Sequence, residues 1–350
     1  MIVKKIEELA GNEILARALI SWDYQIILPE GAAIRQEYID KLTDLGIKEV
    51  CVCEEEEGIR ESLILKTDIE SSVKEKVREI LEKHTYKHSG DLEELSRTAD
   101  NIISNILQEE RVVEKVYDIK QRNADLYEHS TSICSLAILT ALKMKLSSES
   151  IHDIGVACLL HDIGLRYQTY DFSDRDLDEM SEHEVSEYKK HPIYGYSALK
   201  EESWLSDISK NIILKHHERI NGSGYPLKTR DISLECRIVG VCDAFDERIC
   251  GIGCKRIKVY EAIEYLKFHR DKKFDGRVVD VFLHFTAVYP VGTHVLTNEG
   301  EIGVVVGQNR DFQDRPILRI IQDRECGDVK KEIIKDLVKV QNLFIEKVVS

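Results

Sequence analysis

Residues 151–164 read IHDIGVACLLHDIG and hold the feature that decides the fold. Apolar side chains recur at helical spacing up to Leu160, which predicts a helix buried in a protein core. That helix ends at His161-Asp162, with Gly164 two residues further on. An imidazole and a carboxylate at a buried helix end are costly unless each has a partner. The pair therefore indicates a functional centre rather than ordinary packing.

Other ionisable residues occupy apolar surroundings on both sides of this segment. A helix around His129 would turn its imidazole inward with the apolar stripe, and His191 precedes a proline at a position suited to starting a helix. The pair His216-His217 follows one apolar run, and Asp243 lies in another. Each is an ionisable group that faces a predicted core.

A metal cluster is the economical explanation for this set. Neutral imidazoles and carboxylates around divalent cations satisfy one another, whereas separate buried groups would lack partners. Nitrogen and oxygen donors without thiolates suggest Fe or Mn rather than structural zinc. Two metals would share Asp162 as a bridging ligand. Such a centre supports in-line attack on a phosphodiester by a hydroxide that bridges the metals.

A loop follows the histidine pair directly. Residues 217–226 read HERINGSGYP, and the glycines and the proline end any helix there. The loop leaves Tyr225 beside the proposed metals. We predict that Gly224, Tyr225 and Pro226 contact the substrate.

The order of these motifs resembles the HD-GYP family of the HD phosphohydrolase superfamily over about residues 121–285. The resemblance implies an HD-type helical bundle whose two or three divalent metals, Fe or Mn, hydrolyse the bacterial messenger cyclic di-GMP to pGpG, GMP or both. It implies that Asp162 and His161 are catalytic. The metal ligands that it implies, with Asp125 for a third metal, are His129, His161, Asp162, His191, His216, His217, Asp243 and Asp125.

A dianionic cyclic dinucleotide needs cations near the metals. Within this domain the candidates are Lys215, Arg219, Lys255 and Arg256. We predict that Arg219, Lys255 and Arg256 bind the substrate.

Three features depart from the family pattern. Leu165 stands where a lysine is usual, and Asn221 stands where the loop usually has an aspartate. Residues 247–256, ERICGIGCKR, replace the usual Arg-Pro-Tyr segment. Two other functions stay open: a catalytically degenerate sensor that binds metal and nucleotide and signals to a partner, or an HD hydrolase acting on another nucleotide. A purely structural helical scaffold would bind no transition metal.

The composition and charge of the chain limit the compartment and the binding partners that we expect for the protein. The formal net charge of -15 repels a nucleic-acid backbone, so we expect no DNA or RNA binding. No apolar run approaches the ~20 residues that a membrane helix needs. The N-terminus turns acidic before a signal peptide could form, which favours a cytoplasmic protein without a membrane segment. The nine cysteines lack disulfide or zinc-site spacing and are expected to be reduced, mostly buried thiols.

The predicted fold class is mainly α, with four parts along the chain. They are a small α+β N-terminal module (1–60), a helical connector (61–120), the HD-GYP metal-dependent phosphohydrolase domain (121–285) and a β-rich C-terminal module (286–350). Regulation would come through the terminal modules or through association, either as a homodimer or with a signalling partner.

Overall fold

The computed structural model describes residues 62–87, 91–108, 116–119, 122, 124–323 and 327–349. In the N-terminal part it describes residues 2–6, 9, 19–20, 26–28, 32, 34, 36–44, 47 and 49–52. The chain forms two compact units, Met1–Ile59 and Arg60–Ser350. The predicted connector, HD-GYP domain and C-terminal module all fall in the second unit, and their mutual boundaries stay predictions.

The first unit combines short strands with a helix. Its described elements are β1 (Ile2–Lys5), β2 (Leu19–Ile20), β3 (Ile26–Leu28), α1 (Gln36–Asp44) and β4 (Glu49–Val52). β1 pairs with β4 and β2 pairs with β3, both in antiparallel fashion. Ile34, Leu42 and Val50 are buried in its apolar core. The small α+β module is therefore confirmed.

Helices dominate the second unit, which confirms the mainly α fold class. In chain order they are α2 (Thr67–Lys87), α3 (Glu94–Leu107), α4 (Leu126–Lys143), α5 (Ser148–Leu160), α6 (Glu182–Tyr188), α7 (His191–Leu199), α8 (Asp207–Lys215), α9 (Leu234–Cys250), α10 (Val259–His269) and α11 (Gly276–Phe285). Serines precede α5, α8 and α9, and each hydroxyl accepts a backbone N–H bond that would otherwise be unmade. Within the described ranges, no helix has the length and apolarity needed to cross a membrane.

The central helix α4 is buried on nearly every side between α5 and α9. Several of its buried residues are Ser or Thr, whose hydroxyls need partners in such a place. Thr131 donates to the Tyr127 carbonyl oxygen at 2.9 Å, and Thr140 donates to that of Leu136 at 2.8 Å. These bonds one turn back satisfy the hydroxyls within the helix itself, so polar residues can line the core.

Thiols also lie in this core. Cys134, Cys158, Cys236, Cys242 and Cys250 are buried and free, and Cys254 is half-buried and free. The side chains of Cys51, Cys53 and Cys326 lie outside the described residues.

The end of the chain folds into an antiparallel sheet. Its strands are β5 (His294–Thr297), β6 (Ile302–Gly307), β7 (Ile317–Asp323), β8 (Gly327–Asp336) and β9 (Ile345–Val348), in the order β8-β7-β6-β5-β9. The buried Asp118 ties this sheet to the start of the unit, because it accepts hydrogen bonds from the backbone of Ser62 and Val291 and from the Gln308 amide. The β-rich C-terminal module is therefore confirmed.

The chain after Asp162 passes very close to the start of α7. Gly164 lies in the 3-10 turn Ile163–Tyr167, and a β-carbon on it would lie 2.0 Å from the His191 carbonyl oxygen. Real β-carbons do not approach backbone atoms so closely, so only glycine fits. This approach is what brings Asp162 beside His191.

We predict that Gly164→Ala lowers the free energy of unfolding by about 2 kcal/mol or more, because the backbone must move away from His191. Urea denaturation followed by circular dichroism measures this loss. Gly307→Ala is the matched control, since a β-carbon there would meet its nearest neighbour at an ordinary 3.6 Å. Equal losses in the two variants would contradict the close approach.

Candidate metal centre

Seven of the predicted ligands converge at the ends and centres of different helices. His129 lies in the first turns of α4, His161-Asp162 ends α5, His191 starts α7, His216-His217 ends α8, and Asp243 lies in the middle of α9. Each of these side chains is 7% exposed or less. The structure therefore gathers ionisable groups from five helices into one buried place.

Asp162 lies between two sets of histidines. Its Oδ2 is 3.6 Å from His129 Nε2 and 3.3 Å from His161 Nε2. Its Oδ1 faces the other way, 3.1 Å from His191 Nε2 and 3.8 Å from His216 Nε2. One carboxylate thus presents one oxygen to each set, as a bridging ligand must.

The donor atoms form two groups of the size that a metal ion requires. Asp162, His191, His216 and His217 offer atoms within 4.8 Å of one another, as do His129, His161 and Asp243. Metal bonds of about 2.0–2.2 Å to nitrogen and oxygen place neighbouring donors at such separations.

Unsatisfied atoms test whether metals fit here. Nε2 of His129, Nε2 of His161 and both carboxylate oxygens of Asp243 are buried without a hydrogen-bond partner in the described structure. Buried polar atoms are almost always paired, because an unmade bond costs about 1–3 kcal/mol. A divalent cation would satisfy all of them at once, so the residues present fit a metal centre.

Hydrogen bonds hold the imidazoles with one nitrogen toward the centre. Nδ1 of His161, His191 and His216 donates to a backbone carbonyl of its own helix or turn, at 2.7, 2.7 and 2.9 Å. With the proton on Nδ1, the lone pair is on Nε2, which is the nitrogen that faces Asp162. Because these carbonyls belong to the preceding turn, the helix ends themselves orient the ligands.

His129 takes its orientation from a carboxylate instead. Its Nδ1 bonds Asp246 Oδ2 at 2.7 Å. Asp246 also accepts from Ser132 Oγ at 2.7 Å and from the Arg122 guanidinium. Despite burial, Arg122 and His129 hold the pKa of Asp246 at about 2, so it stays ionised. This role of Asp246 was not predicted from the sequence, although its position one turn after Asp243 on α9 was a usable signal.

The electrostatic surroundings favour a neutral imidazole at His216 and a positively charged one at His129. Burial, and then the charge of His161, lowers the pKa of His216 to about 3. On the other side burial is outweighed by the nearby carboxylates of Asp243 and Asp246, which raise the pKa of His129 well above its usual value. The carboxylates thus draw a cation toward His129, as a metal site requires.

A further acid, Glu247, lies at the edge of the cluster. Its Oε1 is 3.9 Å from His217 Nε2 and accepts a hydrogen bond from the Tyr188 hydroxyl at 3.1 Å. Burial, and then the negative charge of Asp243, raises the pKa of Glu247 to about 8. No role was predicted for Glu247 from the sequence, where it begins the segment that replaces the usual Arg-Pro-Tyr.

The loop after the histidine pair folds back onto it. A β-carbon at Gly224 would lie 2.4 Å from the His217 carbonyl oxygen, and the Tyr225 ring stacks on His217 at 4.5 Å with a cis peptide bond to Pro226. The buried Glu218 holds the loop end, accepting the backbone N–H groups of residues 227, 228 and 229 at 2.6, 2.9 and 3.1 Å. No role was predicted for Glu218, since an acid beside histidines gives no distinctive signal in the sequence.

Asp125 lies apart from the metal-ligating groups, contrary to the expectation for a third metal. Its carboxylate caps α4, accepting the backbone N–H groups of Tyr127 and Glu128, and pairs with Lys74 at 2.9 Å. Within the described residues, Asp125 belongs to none of the groups of His, Cys, Asp and Glu side chains that lie close enough together to hold a metal ion. Because Oδ1 forms the cap and Oδ2 pairs with Lys74, we do not count Asp125 among the ligands.

The predicted substrate cations are all engaged elsewhere. Arg219 Nη1 donates to the carbonyl oxygens of His216 and Glu218, at 3.0 and 2.9 Å. The Lys255 ammonium pairs with Glu179, and Arg256 Nη1 donates to the Arg122 carbonyl oxygen at 3.4 Å. Their backbone N–H groups bond the carboxylates of Asp176 and Asp174. Their contacts with substrate stay predictions. Lys215 donates at 3.5 Å to the Asp231 carbonyl oxygen.

The position of the missing lysine is apolar. Leu165 is buried in a cluster with Phe172, Met180 and Tyr188, against which Tyr225 packs. A lysine could not keep its charge there without a partner.

Comparison with known proteins agrees with this geometry. Residues 111–278 match the HD domain family, and residues 294–350 match the KOW domain associated with HD domain. The second unit therefore carries an HD domain followed by an HD-associated KOW domain. The HD-domain match covers largely the same part of the chain as the motifs that resemble the HD-GYP family.

Three named relatives are similar to this chain over 42–73% of its length. A cyclic di-GMP phosphodiesterase of Pseudomonas aeruginosa is 30% identical over 226 residues, 63% of this chain and 52% of that protein. The cyclic di-GMP phosphodiesterase response regulator RpfG of Xanthomonas campestris pv. campestris is 36% identical over 152 residues, 42% of this chain and 40% of that protein. The 3'3'-cGAMP-specific phosphodiesterase 2 of Vibrio cholerae serotype O1 is 27% identical over 271 residues, 73% of this chain and 49% of that protein. The chain spans about half the length of these relatives, or less.

We predict that Asp246→Asn weakens metal affinity by roughly 10- to 100-fold, because His129 loses the charged partner that orients it. Competition with a chelator, read by the metal content of the protein, measures this effect. Asp100→Asn is the matched control, since Asp100 Oδ1 bonds His152 Nδ1 at the same 2.7 Å away from the centre. Unchanged affinity in Asp246→Asn would contradict the orienting role.

Proposed function

We propose that this chain is a metal-dependent phosphodiesterase that hydrolyses cyclic di-GMP to pGpG, GMP or both. The observation that carries the proposal is the placement of Asp162, whose two oxygens face separate sets of buried imidazoles. That arrangement suits two cations a few ångströms apart. The histidines and aspartates supply only nitrogen and oxygen donors, which favours Fe or Mn.

Bound divalent cations would lower the pKa of a water molecule and neutralise charge on the phosphodiester. His129 and His161 would hold one side of that centre and His191 and His216 the other, with Asp162 between them. Asp243 completes the set beside His129. These residues keep their geometry without reorganisation, because helix backbone and Asp246 already fix the rings.

Substrate recognition in this proposal rests on the loop and on nearby cations. Tyr225, stacked on His217, offers an aromatic edge beside the metals, and Gly224 and Pro226 hold it there. Lys255, Arg256 and Arg219 would meet the phosphates once their present partners are displaced. The names of two relatives support cyclic di-GMP as the substrate.

A second cyclic dinucleotide is the alternative substrate. The buried Leu165 gives no cation to the phosphate, and one relative is named a 3'3'-cGAMP-specific phosphodiesterase. We therefore propose 3'3'-cGAMP as the second candidate, and a sensor that binds nucleotide without turnover as the third.

We predict that the Mn(II)-loaded or Fe(II)-loaded protein converts cyclic di-GMP to pGpG or GMP, and that His161→Ala/Asp162→Ala loses roughly a thousandfold or more of that rate. Chromatography of the products, with the metal content measured in parallel, reads both results. The same chain offers a matched control, His152→Ala/Asp153→Ala, which removes a second His-Asp pair at the other end of α5.

A substrate panel decides between the candidates. If the protein cleaves 3'3'-cGAMP and leaves cyclic di-GMP intact, 3'3'-cGAMP replaces cyclic di-GMP as the proposed substrate. If the metal-loaded protein binds cyclic di-GMP tightly but forms no product, the proposed enzymatic function is rejected in favour of the sensor.

A further inference from the structure

A short segment covers the metal centre. Residues 171–180, which we call the strap, run between the 3-10 turn Ile163–Tyr167 and α6. The strap buries Phe172 and Met180 against Leu165 and Tyr188. The Phe172 ring lies 4.8 Å from that of Tyr188.

Tyr188 links the strap to the metal ligands beneath it. Its ring lies 5.3 Å from the His191 ring, and its hydroxyl bonds Glu247. The ligand side chains under this layer are 7% exposed or less. A cyclic dinucleotide needs an opening in the layers that bury these groups, and the strap with Tyr188 is one of those layers.

Backbone bonds fasten the strap to the loop after α9. The Asp174 N–H donates to the Gly251 carbonyl at 2.7 Å, and the Gly253 N–H donates to the Phe172 carbonyl at 3.0 Å. A β-carbon at Gly253 would lie 2.2 Å from the Tyr188 hydroxyl, so the loop also presses on the layer that covers the ligands.

Carboxylates of the strap complete the attachment. Asp176 accepts the Lys255 N–H at 3.0 Å, and Asp174 accepts the Arg256 N–H at 2.8 Å. Glu179 pairs with the Lys255 ammonium. The two N–H groups and the ammonium, which we call the anion site, thus each bond one acid of the strap.

We propose that the strap is autoinhibitory: its carboxylates occupy the anion site in place of a substrate phosphate and keep the metal centre closed. The identity of the displacing substrate rests on the proposed function. A phosphodiester oxygen accepts the same charge-assisted hydrogen bonds as a carboxylate, so a cyclic dinucleotide competes directly with the strap.

Closure by the strap lowers the apparent affinity for substrate. A site that is open for only a fraction of the time binds more weakly by that fraction. Weakening the attachment therefore lowers the KM for cyclic di-GMP and leaves kcat unchanged, because the metal ligands are untouched.

The variant Asp174→Asn/Asp176→Asn/Glu179→Gln tests this directly. It keeps side-chain size and removes three charges, and asparagine tolerates the left-handed backbone of Asp174, whose φ is 51°. The control is Asp178→Asn/Glu182→Gln/Glu201→Gln, whose carboxylates form no described bond with residues 251–256. Asp176→Asn alone replaces the triple variant if that variant has an altered melting temperature.

Hydrogen-deuterium exchange and the rate of metal removal measure how firmly the strap is held, and neither depends on enzyme activity. In the Mn(II)-loaded protein, we expect the strap variant to raise amide exchange in residues 171–180 roughly tenfold and to speed EDTA extraction of manganese. The KM for cyclic di-GMP should fall by a similar factor. The control variant should match the wild type in all three.

The outcomes separate this inference from the proposed function. Unchanged exchange and extraction in the strap variant, or equal changes in the control, overturn the autoinhibitory strap even if cyclic di-GMP is cleaved. Faster exchange and extraction in the strap variant alone, with cyclic di-GMP intact in every protein, uphold the closed strap and reject the substrate.

Discussion

The structure depends on a buried carboxylate placed between imidazoles. Asp162 is almost wholly removed from solvent, and histidines from four helices approach its two oxygens. Burial disfavours an ionised carboxylate, but His161 and His191 hold the pKa of Asp162 well below its usual range. Charge must therefore be balanced within the cluster, and divalent cations do so while satisfying the unpaired atoms of His129, His161 and Asp243.

The rest of the fold holds the side chains of that cluster in position. Gly164 lets the turn after Asp162 touch the backbone of α7, and Gly224 lets the loop touch the backbone after α8. Backbone carbonyls at helix ends orient three of the rings, and Asp246 orients a fourth. Each of these contacts and hydrogen bonds involves rigid backbone or a fully buried side chain, which favours a preorganised centre.

Much of the centre could be predicted from sequence, because histidines and aspartates in apolar runs are costly to bury without a metal or another partner. His129, His161, Asp162, His191 and Asp243 all stand out in that way, and the helical fold follows from the periodicity around them. Asp246 does not stand out, since it looks like one more acid on a helix that already carries a ligand.

Contacts over long sequence separations could not be predicted at all. Asp125 has the spacing of a ligand, but its position before α4 makes it a helix cap, and only the packing of α2 brings Lys74 to it. Lys255 and Arg256 looked like free cations because the strap that engages them lies about 80 residues earlier in the chain. Local patterns carry no information on such pairings.

Electron paramagnetic resonance of the Mn(II)-loaded protein tests most directly whether Asp162 joins two metal positions. We expect the wild type to bind two ions per chain with the spectrum of an exchange-coupled pair, and Asp162→Ala to lose that coupling. A wild-type spectrum of isolated Mn(II), or a content of one ion per chain in the fully loaded protein, would contradict the bridged centre.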